Sequence, residues 1–253
     1  MNKISKIKAL RKKIKNKNLT IGSWMQIPST SVAEILGKSN YDWIAIDMEH
    51  GQIDNSILQD LFRAIELGDT LAFARLPSHE IYHIKTALDS GAMGLIFPMV
   101  ETSSQIRNSI AFSLYPPAGE RGVGFSRANL FGKNFSEYTS EAENIFIVVM
   151  IETKKGYMNL SDILSVSRID AVLIGPYDLS ASLGCTGDFE NKIFKDAIEN
   201  IKEICSMNQI PCGFHQINPD KKQLLSKVDE GYKFIAYSTD AYLLALSARN
   251  PID

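Results

Sequence analysis

Short apolar runs alternate with longer amphipathic ones along this chain. The apolar runs are Thr20–Met25, Trp43–Asp47, Leu71–Arg75, Gly94–Pro98, Ile145–Ile151, Ala171–Gly175, Pro211–Phe214 and Lys233–Ala236. Each has the length of a strand. The segments between them, such as Ser31–Leu36, Ser56–Leu67, Ile81–Ser90 and Thr102–Ser113, place apolar residues at helical spacing. Ser56 and Ser78 are candidate N-caps, and Gly68 and Gly91 candidate stops just past helix ends.

Eight strands alternating with helices predict a single (β/α)8 TIM barrel, an α/β fold, spanning residues 1–253. An open doubly wound sheet is the other arrangement this alternation allows. The spacing stretches once, between Pro98 and Ile145, where Tyr115-Pro-Pro-Ala-Gly119 and Arg121-Gly-Val-Gly124 predict an elaborated loop after strand four. Before the first strand, Ile4, Ile7, Leu10 and Ile14 recur at helical spacing within a Lys- and Arg-rich stretch. That predicts a short N-terminal helix whose basic face is solvated, with no apolar core of a signal peptide.

Composition narrows the class. The 253 residues are 45% hydrophobic and 22% charged with a formal net charge of −2, so no overall basic field invites nucleic acid. No apolar stretch reaches membrane-spanning length. Cys185, Cys205 and Cys212 form no C-x-x-C pair and are odd in number, which suits a reducing cytoplasm better than a disulfide framework or a zinc site.

In a barrel the chemistry lies at the C-terminal ends of the strands. Glu152 and Asp178 each follow an apolar run and stand 26 residues apart, about one strand–helix–strand unit. On neighbouring parallel strands they would share one rim and suit a hard divalent cation such as Mg²⁺ or Mn²⁺. Asp47, His50 and Arg75 end two other runs. His50 suits a general base, and charges grouped on one rim are costly unless paired or metal-bound. His79 and His83 are read as ordinary residues of a surface helix. Gly122-Val-Gly124 lacks the third glycine of a dinucleotide loop and follows no strand. Lys154 and Lys155 begin a helix, which disfavours a Schiff-base lysine.

Taken together, Ile46-Asp-Met-Glu-His-Gly51, Arg75-Leu-Pro77, Leu88-Asp-Ser-Gly-Ala92, Pro98-Met-Val100, the two loop motifs above, Ile151-Glu-Thr153 and Gly175-Pro-Tyr-Asp-Leu-Ser180 closely resemble the HpcH/HpaI aldolase family. The resemblance runs from about Ile21 to Asp240. It implies a class II, metal-dependent pyruvate aldolase of the phosphoenolpyruvate/pyruvate barrel superfamily, with Mg²⁺, Mn²⁺ or Co²⁺ held by Glu152 and Asp178. It further implies Arg75 at the keto oxygen, His50 as base, Asp89 reaching the histidine of a neighbouring subunit, and Asp47 behind the metal waters. Gly175, Pro176 and Tyr177 would line the pyruvate end. The implied partners are a small 2-oxo acid and an aldehyde, from a 4-hydroxy-2-oxo acid such as 2,4-dihydroxyhept-2-enedioate or a 2-keto-3-deoxy sugar acid. The implied assembly is a homo-oligomer, a trimer or hexamer, with an exchanged last helix.

Two positions depart from the family pattern. Met150 stands where typical members carry a glutamine able to hydrogen-bond substrate or a metal water. Tyr177 is bulky where many relatives carry a small residue. Oxaloacetate decarboxylation by the same site, and a diverged binder of pyruvate-like acids without turnover, are the rival readings.

Overall fold

The computed structural model describes residues 3–250 and Ile252. Eight strands, β1 (Thr20–Met25), β2 (Trp43–Asp47), β3 (Leu71–Arg75), β4 (Gly94–Phe97), β5 (Phe146–Ile151), β6 (Ala171–Ile174), β7 (Cys212–Gln216) and β8 (Phe234–Thr239), pair in parallel in chain order. β1 also pairs with β8, so the sheet closes into a barrel. The twelve α-helices found among the described residues are α1 (Lys3–Lys15), α2 (Thr30–Gly37), α3 (Asn55–Glu66), α4 (Ile81–Ser90), α5 (Ser103–Ser113), α6 (Phe135–Ala142), α7 (Lys154–Met158), α8 (Leu160–Leu164), α9 (Pro176–Ser182), α10 (Lys192–Met207), α11 (Lys221–Asp229) and α12 (Asp240–Ser247). This is the (β/α)8 barrel that the sequence predicts, not the open sheet.

Side chains alternate across each strand. One set, including Ile44, Ile46, Ala72, Val149 and Ile174, packs outward under the helices. The other set points into the barrel, where Trp43 stacks on Phe73 at 5.6 Å and on Phe234 at 4.6 Å between ring centroids. Gly22 makes room for this aromatic layer, since a Cβ there would stand 2.1 Å from the Trp43 ring. Below it, Ile7, Leu10 and Ile14 of α1 join the interior cluster and plug the barrel's N-terminal end. The basic face of α1 is tied down there, with Arg11 Nε 2.6 Å from Asp170 and Lys13 paired to Asp42. The helix packs on its own barrel, as expected, but Arg11 and Lys13 of its basic face are paired with barrel carboxylates and not simply solvated.

The elaborated segment after β4 is organised around one buried cation. Arg121 donates to Asp89 (2.7 Å) and to the Tyr138 hydroxyl (2.9 Å), and its guanidinium lies over the Tyr115 ring at 4.7 Å. Local caps differ from expectation in two places. Asp54, not Ser56, caps α3, because its carboxylate accepts the Ser56 N–H at 2.7 Å. Ser78 and His79 lie in the turn ahead of α4, so His79 is not on that helix. Its ring instead bonds Ser109 Oγ and the Pro98 carbonyl. Gly91 closes α4 in the left-handed region, φ +117°, as expected of a stop.

Candidate active site

Inward-facing residues follow a period of two, and the same parity continued past each strand end builds the site. Trp43 and Ala45 lead to Asp47; Phe73 leads to Arg75; Val148 and Met150 lead to Glu152; Leu173 leads to Gly175. Arg75, Met150, Glu152 and Gly175 of this set line a cavity of about 450 Å³ at the C-terminal end of the barrel. Its wall includes Arg75, His50, Met150, Glu152, Gly175, Pro176, Tyr177 and Asp178. The carboxylate pair, the arginine and the histidine singled out in the sequence therefore share one cavity.

Arg75 is the fixed positive charge of this cavity. Its Nε donates to Asp47 Oδ1 at 2.8 Å, and its Nη2 donates to Asp47 Oδ2. Nη1 is 3.4 Å from Glu49 Oε2, and the guanidinium lies over the Trp24 ring at 4.6 Å. Burial alone would push the Asp47 carboxyl up, but its hydrogen bonds to Arg75 and the guanidinium charge prevail, so it sits below the usual carboxylate range. Asp47 also accepts from Gln26 Nε2 (2.9 Å) and from the backbone N–H groups of Glu49 and His50 (3.1 Å each). It thus braces both the arginine and the turn that carries His50.

Glu152 is nearly inaccessible, 3% exposed. The Met99 N–H donates to its Oε1 at 2.6 Å, and a Cβ at position 175 would stand 2.7 Å from its Oε2, so glycine there keeps that oxygen clear. Burial pushes the Glu152 carboxyl up to about 7, with Glu49 and Asp178 adding repulsion against the opposing Met99 hydrogen bond and Arg75. Burial also raises Glu49, whose Oε2 is enclosed without a hydrogen-bond partner. Asp178 follows Pro176 in the first turn of α9, where a helix N-terminus favours a negative charge. Asp47, Glu49 and Glu152 surround Arg75, and Asp178 lines the same cavity. Such a set is short of positive charge and rich in oxygen donors, which fits a hard cation. Among the described residues no cluster of three or more His, Cys, Asp or Glu side chains is arranged to hold a metal.

His50 stands at the rim with its side chain 60% exposed, and its Nε2 is 4.0 Å from Glu49 Oε2. Asp89 lies elsewhere, on α4, held by Arg121. Within one chain the structure does not bring Asp89 to His50. Tyr177 is half exposed at the cavity edge, its ring edge-on to Phe189 at 5.1 Å.

Three site residues escaped the sequence reading. Gln26, just past β1, holds Asp47. Glu49 shares Arg75. His215 of β7 lines the cavity, with its ring 5.2 Å from that of Trp24. Continuing the inward parity of β1 and β7 by one step would have found Gln26 and His215. Burial, followed by the charge of Arg75, pushes the His215 imidazole down to about 3, so it is neutral in the folded protein. The unfolded chain takes up a proton there near pH 6.5 while the folded one does not, so stability falls as pH drops below that value. For His215 alone the expected loss is about 2 kcal/mol between pH 7 and pH 5. Urea unfolding at the two pH values should show a smaller loss for His215→Gln than for the wild type; equal losses would remove His215 as the source.

Comparison with known proteins is consistent with this geometry. A family model described as HpcH/HpaI aldolase/citrate lyase matches residues 20–246. A hydroxypyruvate/pyruvate aldolase of Roseobacter denitrificans is 35% identical over 243 residues, covering 94% of this chain and 93% of the relative. A 4-hydroxy-2-oxovalerate aldolase of Novosphingobium aromaticivorans is 35% identical over 231 residues, covering 90% and 87%. Among solved structures, an HpcH/HpaI aldolase/citrate lyase family protein from Burkholderia cenocepacia superposes with a TM-score of 0.89 at 28% identity, covering 95% of this chain and 96% of the other.

Proposed function

We propose that this chain, which belongs to the HpcH/HpaI aldolase/citrate lyase family, is a divalent-metal-dependent aldolase that reversibly cleaves a 4-hydroxy-2-oxo acid to pyruvate and an aldehyde. The observation that carries the reading is the meeting of Glu152, Asp178 and Arg75 in one cavity at the barrel mouth. Glu152 and Asp178 would hold Mg²⁺, Mn²⁺ or Co²⁺. When bound, the cation would polarise the 2-oxo group and offset negative charge at its oxygen. The assignment is supported by the buried, mutually repelling carboxylates and by the space glycine leaves at position 175.

The chain's own groups divide the remaining work. Arg75, locked to Asp47, presents its guanidinium to the keto oxygen and stabilises charge that accumulates there. Gly175, Pro176 and Tyr177 form the wall at the pyruvate end. His50, at the solvent side, takes the proton of the 4-hydroxyl as the C3–C4 bond breaks and the aldehyde forms. The bond's electron pair moves toward the keto oxygen, and a proton added at C3 then yields pyruvate. Asp47 keeps the arginine and the histidine turn in register. Asp89 would meet His50 only across an interface between copies, so the reading includes a homo-oligomer of one-domain barrels. Met150 adds an apolar thioether beside Glu152 and leaves hydrogen bonding in that part of the wall to other groups.

The deciding experiment is deuterium exchange into the pyruvate methyl group, followed by NMR on chelator-treated protein before and after adding Mg²⁺, Mn²⁺ or Co²⁺. The expected result is exchange that requires a metal and stops on chelation. Folded protein that binds pyruvate but exchanges nothing with any of these metals would instead mark a non-catalytic binder.

A further inference from the structure

We infer that His79 is a positioning residue for Glu152: it holds the Pro98–Met99 peptide so that the Met99 N–H secures Glu152 Oε1 and leaves Oε2 to a divalent cation. The inference rests on the aldolase reading for the metal-ligating role of Glu152, and adds a residue behind the cavity wall that sets metal affinity.

Strand order brings the parts together. β4 pairs with β3 on one side and with β5 on the other, so the turns that follow these strands lie side by side. The turn after β3 carries His79, the one after β4 carries Pro98 and Met99, and the one after β5 carries Glu152. His79 Nε2 is 2.6 Å from the Pro98 carbonyl oxygen, and the Met99 N–H donates to Glu152 Oε1 at 2.6 Å. A carbonyl only accepts, so Nε2 carries the proton, while Nδ1 meets Ser109 Oγ at 2.8 Å. The Pro98 carbonyl and the Met99 N–H belong to one planar peptide. His79 therefore grips one edge of that plane and the carboxylate grips the other.

This peptide needs holding. Met99 has φ +48°, in the left-handed region that a residue with a Cβ enters only at a cost. Turning the Pro98–Met99 peptide over would carry that φ through about half a turn, back to an ordinary extended value. The reversed peptide would face Glu152 with a carbonyl oxygen in place of an N–H. The next peptide along is tethered separately: Gln105 Nε2 donates to the Met99 carbonyl and the Val100 N–H donates to the Met150 carbonyl, both at 3.3 Å. Among the described residues, His79 is the side chain that fixes the Pro98 carbonyl. Without its donor, backbone preference at Met99 favours the reversed peptide, and Glu152 loses the bond that sets which oxygen faces Gly175. Partners that orient a metal ligand in this way govern affinity for the metal.

Packing is the competing role for His79, because its ring stacks on Phe97 with centroids 5.5 Å apart. Two variants separate the roles. His79→Phe keeps a ring for the stack and removes the donor. His79→Gln gives up the ring and keeps an amide N–H₂ that reaches about as far as Nε2.

The test is Mn²⁺ titration of the chelator-treated full chain, read from the electron paramagnetic resonance of free Mn²⁺, beside crystal structures of the three metal-free proteins. His79→Phe should bind Mn²⁺ about tenfold more weakly than wild type, with the Pro98–Met99 peptide turned, and His79→Gln should stay within about threefold of wild type. Wild-type affinity in folded His79→Phe would overturn the inference, as would a greater loss in His79→Gln, which marks packing. A negative φ at Met99 in the wild-type crystal would overturn it with no variant needed. If wild type binds no Mn²⁺, the metal reading falls and the peptide orientation in His79→Phe decides alone: turned supports the role of His79, unmoved removes it. The expected order of affinities without exchange of pyruvate methyl protons in wild type would remove the aldolase reading and leave the positioning role standing. Metal-dependent exchange in all three proteins at one Mn²⁺ affinity would do the reverse.

Discussion

Glu152→Ala should lose about a thousandfold or more in kcat/KM and all dependence on added metal, while remaining folded. The expected separation of activity from stability follows from the environment of this side chain. Glu152 is buried, its pKa is pushed up to about 7, and Glu49 and Asp178 repel its charge. Without a cation the ionised carboxylate is a strained occupant, so its removal costs the fold little. Only the Met99 N–H at 2.6 Å loses its acceptor. Asp178→Ala should be equally inactive but slightly less stable, by about 0.5 kcal/mol, since it also removes a negative charge from the first turn of α9. Thermal melts, Mn²⁺ titration and steady-state rates on the same preparations check all three claims. Full activity of Glu152→Ala after exhaustive chelation would end the metal assignment.

Arg75→Lys should retain the charge and still lose about a hundred- to a thousandfold in kcat, with a smaller change in KM. Arg75 directs Nε and Nη2 at the two oxygens of Asp47 and keeps Nη1 toward Glu49. A lysine ammonium is a point charge and cannot serve that fork while also reaching a keto oxygen. Asp47 keeps Gln26 and two backbone donors, so the buried carboxylate is not stranded. The expected stability loss is accordingly about 1–3 kcal/mol and not more. A variant with wild-type kcat would remove Arg75 from the chemistry.

The barrel was legible because its strands are nearly continuous apolar runs and its turns are not. The residues at strand ends were legible where a charge broke such a run, as at Asp47, Arg75 and Glu152. Gln26, just past β1, and His215, within β7, are neutral and make no break in polarity that draws attention; their places in the cavity come from inward parity and from neighbours distant in sequence. Ser56 looked like a cap by composition, but Asp54, two residues earlier, offers the better acceptor to the same helix end. Asp89 was found by motif, yet its observed partner, Arg121, comes from a loop 32 residues away, which spacing alone does not specify. The closure of β1 on β8 likewise joins residues more than 200 positions apart in the chain and follows from strand count, not from local signals.

Asp47 grips Arg75 with both oxygens while its Oδ1 also anchors the backbone of Glu49 and His50. Arg75 and the turn that carries His50 are consequently one mechanical part. A fluctuation that loosens the turn also misaligns the guanidinium, so the pocket should pass between assembled and disassembled states with few half-formed ones. Partial activity in variants of the turn would then reflect how often the whole pocket is assembled, and its individual steps would slow together.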